Sequence, residues 1–140
     1  MQDRIFENPS ILGLGEQIEP VTKEKPQSSG GRLDLLLKDP DDDSMFEVEV
    51  MLDETDESHI VRIIEYWDLE RRRWPKRKHT AVLVAERITA RFFNVVHIFS
   101  QAVPIIGLQV SAIELEGKLG LQFTKIIDTY QEPAEGPEPP

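Results

Sequence analysis

The chain has 140 residues, of which 39% are hydrophobic, and a formal net charge of -10 at pH 7. This length and composition suit one folded domain, and the absence of cysteine excludes disulfides and thiolate metal sites. No apolar run approaches the ~20 residues that span a bilayer, and the start, Met1-Gln2-Asp3-Arg4, lacks the segments of a secretory signal. We therefore expect a soluble, cytoplasmic protein with no membrane partner.

The first half of the chain predicts a short helix followed by three strands. The helix covers residues near 3–12, with Pro9 close to a boundary, and Gly13 and Gly15 end it. A loop and an acidic turn, at 26–31 and 38–43, separate the strand-forming runs. The predicted strands are 18–25, 31–37 and 46–52.

A strong helix signal follows at 55–73. Thr55 can cap this helix, acidic residues occupy its first turn, arginines occupy its last turn, and Pro75 stops it. Its apolar side chains recur at 3.6-residue spacing, which predicts that they face a sheet. These side chains are Ile60, Ile63, Ile64 and Trp67.

The rest of the chain predicts a buried strand, a second helix and a closing pair of strands. The continuous apolar run at 80–85 is typical of a central strand. A helix at 89–101 precedes strands at 104–115 and 119–127, and residues 131–140 predict a disordered tail or linker. The side chains of this helix that should face inward are Phe92, Val95, Val96 and Phe99. This order of elements predicts an α/β fold with a mixed central sheet flanked by helices, in one domain over residues 1–130.

Three carboxylates are the most informative feature of the sequence. Asp34 lies in one predicted strand, and Glu47 and Glu49 lie two residues apart in the next. Because side chains alternate faces along a strand, a hairpin can bring the three acids together. Two such charges ~4 Å apart repel by roughly 4 kcal/mol at an effective dielectric of ~20, and Mg²⁺ is a cation that oxygen ligands of this kind hold. The alternative is an ordinary antiparallel sheet with acids on its solvated face.

Positive charge is concentrated in one segment of this acidic chain. Six of the eight residues from 71 to 78 are basic, namely Arg71, Arg72, Arg73, Lys76, Arg77 and Lys78. Such a cluster can contact nucleic-acid phosphates, although the net charge of -10 argues against a general nucleic-acid binder. The alternative is a solvated helix end whose cations complement the helix dipole.

On these residues the chain resembles the PD-(D/E)xK nuclease superfamily, over roughly residues 3–110. That family has an acid on its first helix, an aspartate on one hairpin strand and (Asp/Glu)-x-Lys on the next. Glu7, Asp34 and Glu47 match the three acids. The resemblance implies a restriction endonuclease-like αβββαβ core in which these residues hold Mg²⁺ or Mn²⁺. It also implies hydrolysis of a nucleic-acid backbone, with DNA as the expected substrate.

Glu49 stands where the family has its lysine, as in the Glu-x-Glu variant of some restriction enzymes. There it would act as a metal ligand or general base. His59 and Arg62 share one stripe of the predicted helix. Arg62 could replace the missing lysine by contacting phosphate, and His59 could relay a proton. The alternative for this stripe is a polar shoulder paired with neighbouring acids.

Three functions remain open from the sequence. The first is an active metal-dependent nuclease. The second is a catalytically degenerate nuclease fold that acts as a nucleic-acid or protein interaction module. The third is an acidic α/β protein unrelated to nucleases. A homodimer and an additional domain after residue 140 also remain open.

Overall fold

The chain folds around a central β-sheet with helices on both faces. The computed structural model describes residues 1–54 and 56–128, and only the backbone of residues 53 and 54. Its strands are β1 (Glu19–Pro26), β2 (Arg32–Asp39), β3 (Ser44–Glu54), β4 (His79–Arg87), β5 (Ile105–Leu115) and β6 (Lys118–Asp128). Its helices are α1 (Gln2–Glu7), α2 (Glu57–Arg73) and α3 (Ala90–Phe99), with a 3₁₀ turn at Pro9–Leu12.

The sheet is mixed and keeps its strands in chain order. Strands β1, β2 and β3 pair antiparallel, β4 lies parallel between β3 and β5, and β6 returns antiparallel to β5. The parallel pairs are joined through α2 and α3, because parallel strands need a long crossover. Strand β4 is buried from His79 to Ala85. These features confirm the predicted α/β fold with a mixed sheet flanked by helices.

Two apolar layers cover the faces of the sheet. On one face, α2 and α3 pack against β2, β3 and β4. Their buried side chains in this layer are Ile60, Ile63, Tyr66, Phe92 and Val96. On the other face, α1 and the 3₁₀ turn contribute Ile5 and Leu12. Burying one such side chain stabilises the fold by roughly 1.5–3 kcal/mol, so α2 is held firmly above the strands that carry the predicted acids.

The predicted elements differ from the observed ones mainly at their ends. The first helix ends at Glu7, because Asn8 takes a φ of -144° before Pro9. Helix α2 begins after Asp56, whose side chain accepts the cap hydrogen bond, whereas the predicted cap Thr55 lies outside the described residues. The prediction that Phe99 faces inward is wrong. It is 42% exposed, since it is the last residue of α3 and the chain turns there.

Three further predictions concern the connections and the ends of the chain. The acidic turn at 38–43 joins β2 to β3, where Asp39 pairs with Ser44. The predicted tail at 131–140 lies outside the described residues, so its disorder and the domain boundary at 130 stay predictions. Among the helices described, none combines the length and apolar character needed to cross a membrane.

Candidate active site

Asp34 occupies a break in the regular alternation of β2. Its neighbours Leu33 and Leu35 pack in opposite apolar layers, although a regular strand would place both on one face. The Asp34 Oδ2 atom accepts a hydrogen bond of 2.8 Å from the backbone N–H of Val50 on β3. The regular pairing of β2 with β3 stops at the level of Leu35 and Val48. Just beyond this last pair of residues, the Asp34 carboxylate therefore accepts the hydrogen bond that a backbone carbonyl would accept in a regular sheet.

Glu49 is the acid that lies beside Asp34. Because Leu35 pairs with Val48, the next level of the hairpin places Asp34 opposite Glu49. The backbone N–H of Asp34 donates to Glu49 Oε1 over 3.3 Å. Glu49 is fully buried, and its Oε2 atom has no hydrogen-bond partner in the described part of the chain. Two residues further along β3, Met51 is also buried.

Burial and mutual repulsion shift the pKa values of this acid pair. Burial, together with the charge of Asp34, raises the pKa of Glu49 to about 7. Burial also raises the pKa of Asp34, against the hydrogen bond from Val50 and the charges of Arg62 and His59. The pair therefore resists double ionisation in the absence of a cation. Such a pair is suited to bind a cation in place of a proton.

Glu47 lies on the same face of β3 as Glu49 but contacts a different partner. It pairs with Leu36 across the hairpin, and its Oε1 atom lies 2.5 Å from Nδ1 of His79. Neither of these two side chains has exposed surface. Burial raises the pKa of Glu47 to about 7, against the hydrogen bond and charge of His79. Burial alone would lower the pKa of His79, but its contact with Glu47 raises it overall. The protonation state of each of these two side chains therefore depends on the other.

Helix α2 carries Arg62 and His59, whose charges act on the acid pair. Arg62 Nη2 lies 3.8 Å from Glu49 Oε2 and donates to the carbonyl of Arg32 over 3.5 Å. His59 Nδ1 lies 2.9 Å from Asp56 Oδ1, in a geometry that forms no hydrogen bond. Both side chains carry or can carry positive charge, so they offset part of the repulsion between the acids.

Tyr66 supports Arg62 from within the apolar layer. The tyrosine is 3% exposed, and the Arg62 guanidinium lies 5.9 Å from the centroid of its ring. A Cβ atom added at Gly31 would lie 1.8 Å from the tyrosine hydroxyl. Glycine at position 31 therefore leaves the space that the hydroxyl occupies, and the ring in turn orients Arg62 towards Glu49.

Glu7 lies apart from the acid pair. It ends α1, which packs against the face of the sheet opposite α2. Its charge acts on Lys23, which forms an ion pair with Asp3 of the same helix. The described residues contain no group of three or more histidines and acids arranged to hold a metal ion. Of the four predicted acids, the structure brings Asp34 and Glu49 into contact.

Two residues near these acids carry no motif in the sequence. Glu24 lies opposite Asp34 in the register of β1 with β2. Its φ of +53° is rare for a residue other than glycine, and its charge raises the pKa of Asp34. The second residue is His79, the partner of Glu47. In the sequence, Glu24 is recognisable only as an acid within a predicted strand, and His79 belongs to no motif. The pairing register of β1 and the burial of His79 depend on contacts between distant segments, which the sequence does not reveal.

The basic segment at 71–78 lies at the other end of α2 from Arg62. Ten helical residues separate Arg62 from Arg72, which corresponds to ~15 Å. Part of the segment lines a cavity of about 520 Å³, which we call the basic cavity. The lining residues are Arg71, Arg72, Pro75, Arg77, Lys78, His79 and Pro104. Arg73 and Lys76 belong to the basic segment but do not line the basic cavity.

The fold has counterparts among solved structures. No protein-family model matches the chain, and no curated protein matches it by sequence. The structure of EndoMS in complex with double-stranded DNA matches over 76% of this chain and 42% of that chain, at 20% identity and a TM-score of 0.61. A repair endonuclease from Pyrococcus abyssi matches over 69% and 40%, at 23% identity and a TM-score of 0.59. The chain has a restriction endonuclease-like fold.

A third solved structure agrees with this result. SfsA from Pyrococcus furiosus, in complex with Ca²⁺, matches over 86% of this chain and 61% of that chain, at 16% identity and a TM-score of 0.50. The chain spans about two fifths of the length of EndoMS and of the repair endonuclease. At these identities the likeness concerns the fold, and it confirms the fold class that the sequence predicts.

Proposed function

We propose that this protein is a metal-dependent nuclease that hydrolyses phosphodiester bonds of nucleic acid, with DNA as its substrate. The contact between Asp34 and Glu49 carries the proposal, because it joins two acids, one of them fully buried with an oxygen that forms no hydrogen bond to the described residues. The fold agrees with it, since similar folds occur in a repair endonuclease and in EndoMS, whose complex contains double-stranded DNA. The transfer of that substrate to this chain is part of the proposal.

Mg²⁺ or Mn²⁺ is the proposed cofactor, with Asp34 and Glu49 as its ligands. Magnesium is commonly held by one or two carboxylates together with substrate phosphate and water, so a pair of acids suffices. The Glu49 Oε2 atom, which accepts no hydrogen bond among the described residues, and the raised pKa values of both acids fit a divalent cation. When bound, the ion would polarise a phosphoryl oxygen and lower the pKa of a coordinated water.

Glu47 and Glu7 stay predicted ligands, with unequal support. The Glu47 Oε2 atom has no hydrogen-bond partner among the described residues, but Oε1 contacts His79. Two residues of β3 separate Glu47 from Glu49 by ~7 Å. Glu47 would therefore serve a second ion rather than the first. Glu7 has no geometric support, because α1 packs on the other face of the sheet.

Arg62 and His59 are proposed to act on the substrate beside the metal. Arg62 is 43% exposed and can reach a phosphate while it offsets the charge of Glu49. A guanidinium binds phosphate oxygens through two parallel N–H donors, which suits it to replace the lysine of the family. His59 is proposed to relay a proton because its charge acts on Asp34, while its Nδ1 atom also lies 2.9 Å from Asp56, as the alternative of a paired polar shoulder expects.

The basic segment is proposed as the nucleic-acid interface. Its support is the concentration of cations around the basic cavity in a chain with a net charge of -10. The alternative of a solvated helix end accounts for two members, because Arg71 and Arg72 lie 2.6 Å and 3.0 Å from Asp68 of their own helix. The homodimer, the additional domain after residue 140 and the cytoplasmic location stay predictions.

A second candidate function is a nuclease fold that binds nucleic acid or protein without cleaving it. The motif resemblance assigns Glu47 to the first acid of the half-motif and Glu49 to the position of the lysine. If Glu49 is instead the acid beside the motif aspartate, the lysine position falls on Met51. Met51 is buried and apolar, so it can neither orient water nor offset negative charge. This observation favours loss of the chemistry on a retained scaffold.

Cleavage assays with Mg²⁺ or Mn²⁺ test the enzyme on single-stranded, duplex and branched DNA. Asp34→Ala and Glu49→Ala should each lower the rate by about 10²–10³-fold, the usual effect of removing one preorganised charged group. Arg62→Ala should lower it less. Glu116→Ala is the matched control, because this exposed acid lies in the turn between β5 and β6. Undiminished cleavage by Asp34→Ala would show that the proposed site is wrong.

A further inference from the structure

The basic cavity, between the end of α2 and the start of β5, has an excess of positive charge. Four of its lining side chains are arginine or lysine. Asp68 contacts both Arg71 and Arg72, at 2.6 Å and 3.0 Å. One carboxylate offsets only one of these two positive charges. This side of the basic cavity therefore keeps a net positive charge, although the net charge of the protein is -10. Its volume of about 520 Å³ lies in the range of ligand sites, and its charge selects an anion.

The floor of the basic cavity is built on buried hydrogen bonds of His79. Its Nε2 atom donates to the carbonyl of Trp74 over 2.9 Å, and its Nδ1 atom contacts Glu47. The carbonyl of His79 accepts a hydrogen bond of 2.8 Å from the indole of Trp67. These bonds tie the turn after α2 to the central strand β4. These hydrogen bonds therefore hold in place the turn that carries the lining residues Pro75, Arg77 and Lys78.

Arg77 is oriented before any ligand binds. Its guanidinium lies 5.3 Å from the centroid of the Trp74 ring and donates to the Met45 sulfur over 3.3 Å. A thioether is a weak acceptor, which a phosphate oxygen can replace with a gain in hydrogen-bond strength. Pro75 and Pro104 restrict the backbone of the walls. Because these groups are already ordered, binding of an anion loses little conformational entropy.

The basic cavity lies at a defined distance from the acid pair. In the register of β3 with β4, Met45 lies opposite His79 and Glu49 lies opposite Leu83. Four residues of strand therefore separate the two levels, which corresponds to ~13 Å. Successive phosphates of one strand rise by ~3.4 Å along a duplex. Because the strand also winds around the duplex axis, this straight-line distance corresponds to fewer than about four nucleotides.

We propose that the basic cavity is a phosphate subsite, which holds a backbone phosphate a few nucleotides from the phosphate beside Asp34 and Glu49. The inference rests on the proposed function and adds that the substrate must extend well beyond the reacting bond. The inference also separates the residues of the basic segment that contact this phosphate from those that do not. Arg72 and Arg77 hold the phosphate, whereas Arg73 and Lys76 lie outside the subsite.

Salt-dependent binding to a short DNA duplex, without divalent metal, tests the subsite. The slope of log K against log salt concentration falls by ~0.9 for each phosphate contact that is lost. The double variant Arg72→Gln/Arg77→Gln should therefore lower this slope by about 0.9, because the two side chains hold one phosphate. The double variant Arg4→Gln/Lys118→Gln is the matched control, because it removes the same charge from exposed positions outside the basic segment. It should lower the slope by much less. Circular dichroism checks that both variants fold.

A titration with inorganic phosphate, followed by NMR, identifies the source of the phosphate. The amide signals of residues 77–79 should shift with inorganic phosphate and with the duplex. A shift with inorganic phosphate alone would assign the cavity to a small phosphorylated compound and overturn the inference. Equal slopes in the two double variants, or no duplex binding, would also overturn it. Because no cleavage is needed, a lowered slope in the first variant supports the subsite even if the nuclease proposal fails.

Discussion

Burial of Glu49 beside Asp34 makes the free energy of unfolding depend on pH. The pKa of Glu49 is about 7 in the folded protein, against 4.5 for an ordinary glutamate. Between these values the folded state binds a proton that the unfolded chain has lost. The free energy of unfolding is therefore highest below pH 4.5 as far as this group is concerned, and it falls as the pH rises towards 7.

Glu49→Gln should remove this contribution, because the amide keeps the shape of the side chain and does not ionise. At pH 8 the variant should be more stable than the parent by up to about 3 kcal/mol, and the two should differ little at pH 4.5. Urea denaturation at both pH values measures the difference. Glu116→Gln, at an exposed position, should change nothing. An equal loss of stability with pH in the parent and in Glu49→Gln would contradict the raised pKa.

At the scale of the element, the register of the hairpin formed by β2 and β3 decides which acid meets Asp34. The break at Asp34 ends the regular pairing, and the next level belongs to Glu49. A shift of one level moves every side chain to the other face, and a shift of two levels would exchange Glu49 for Glu47. The position that corresponds to the lysine of the family therefore depends on this register.

Met51→Lys tests the register and the chemistry together. If Glu49 is the acid of the half-motif, this variant restores the lysine and should create or increase metal-dependent DNA cleavage. Glu49→Lys should fail, because it removes an acid that contacts Asp34. Circular dichroism must show that both variants fold, since Met51 lies in the layer below α2. Cleavage by Glu49→Lys but not by Met51→Lys would reverse the assignment. Without cleavage by the parent or either variant, the binding module becomes the better proposal.

At the scale of the whole molecule, a bound divalent cation should stabilise the fold. A ligand that binds only the folded state adds stability by mass action, about 2.7 kcal/mol at a concentration of 100 Kd. Millimolar Mn²⁺ should therefore raise the Tm of the parent, measured by differential scanning fluorimetry. The increase should disappear in Asp34→Asn. It should persist in the control Asp41→Asn/Asp43→Asn, which alters the acidic turn between β2 and β3. An identical Tm with and without Mn²⁺ in the parent would count against the metal site.

The elements and their order could be predicted from the amino-acid sequence. The 3.6-residue pattern of α2, the apolar run of β4 and the turn residues between strands are local signals, because capping and periodicity act within a few residues. The same pattern placed Arg62 on the side of α2 that meets the hairpin. Asp34 was also recognisable, as an acid between apolar residues of a strand.

The contacts between these side chains depend on the folded arrangement of the strands and could not be predicted from the sequence. The break at Asp34 selected Glu49 over Glu47 as its neighbour, and the pairing of β1 brought Glu24 to the same level. Glu47 found its partner in His79, 32 residues further along the chain. The physical reason is that register and burial depend on contacts between distant segments, whereas periodicity and capping depend on adjacent residues. The length of α2 likewise separated the basic cavity from the acid pair.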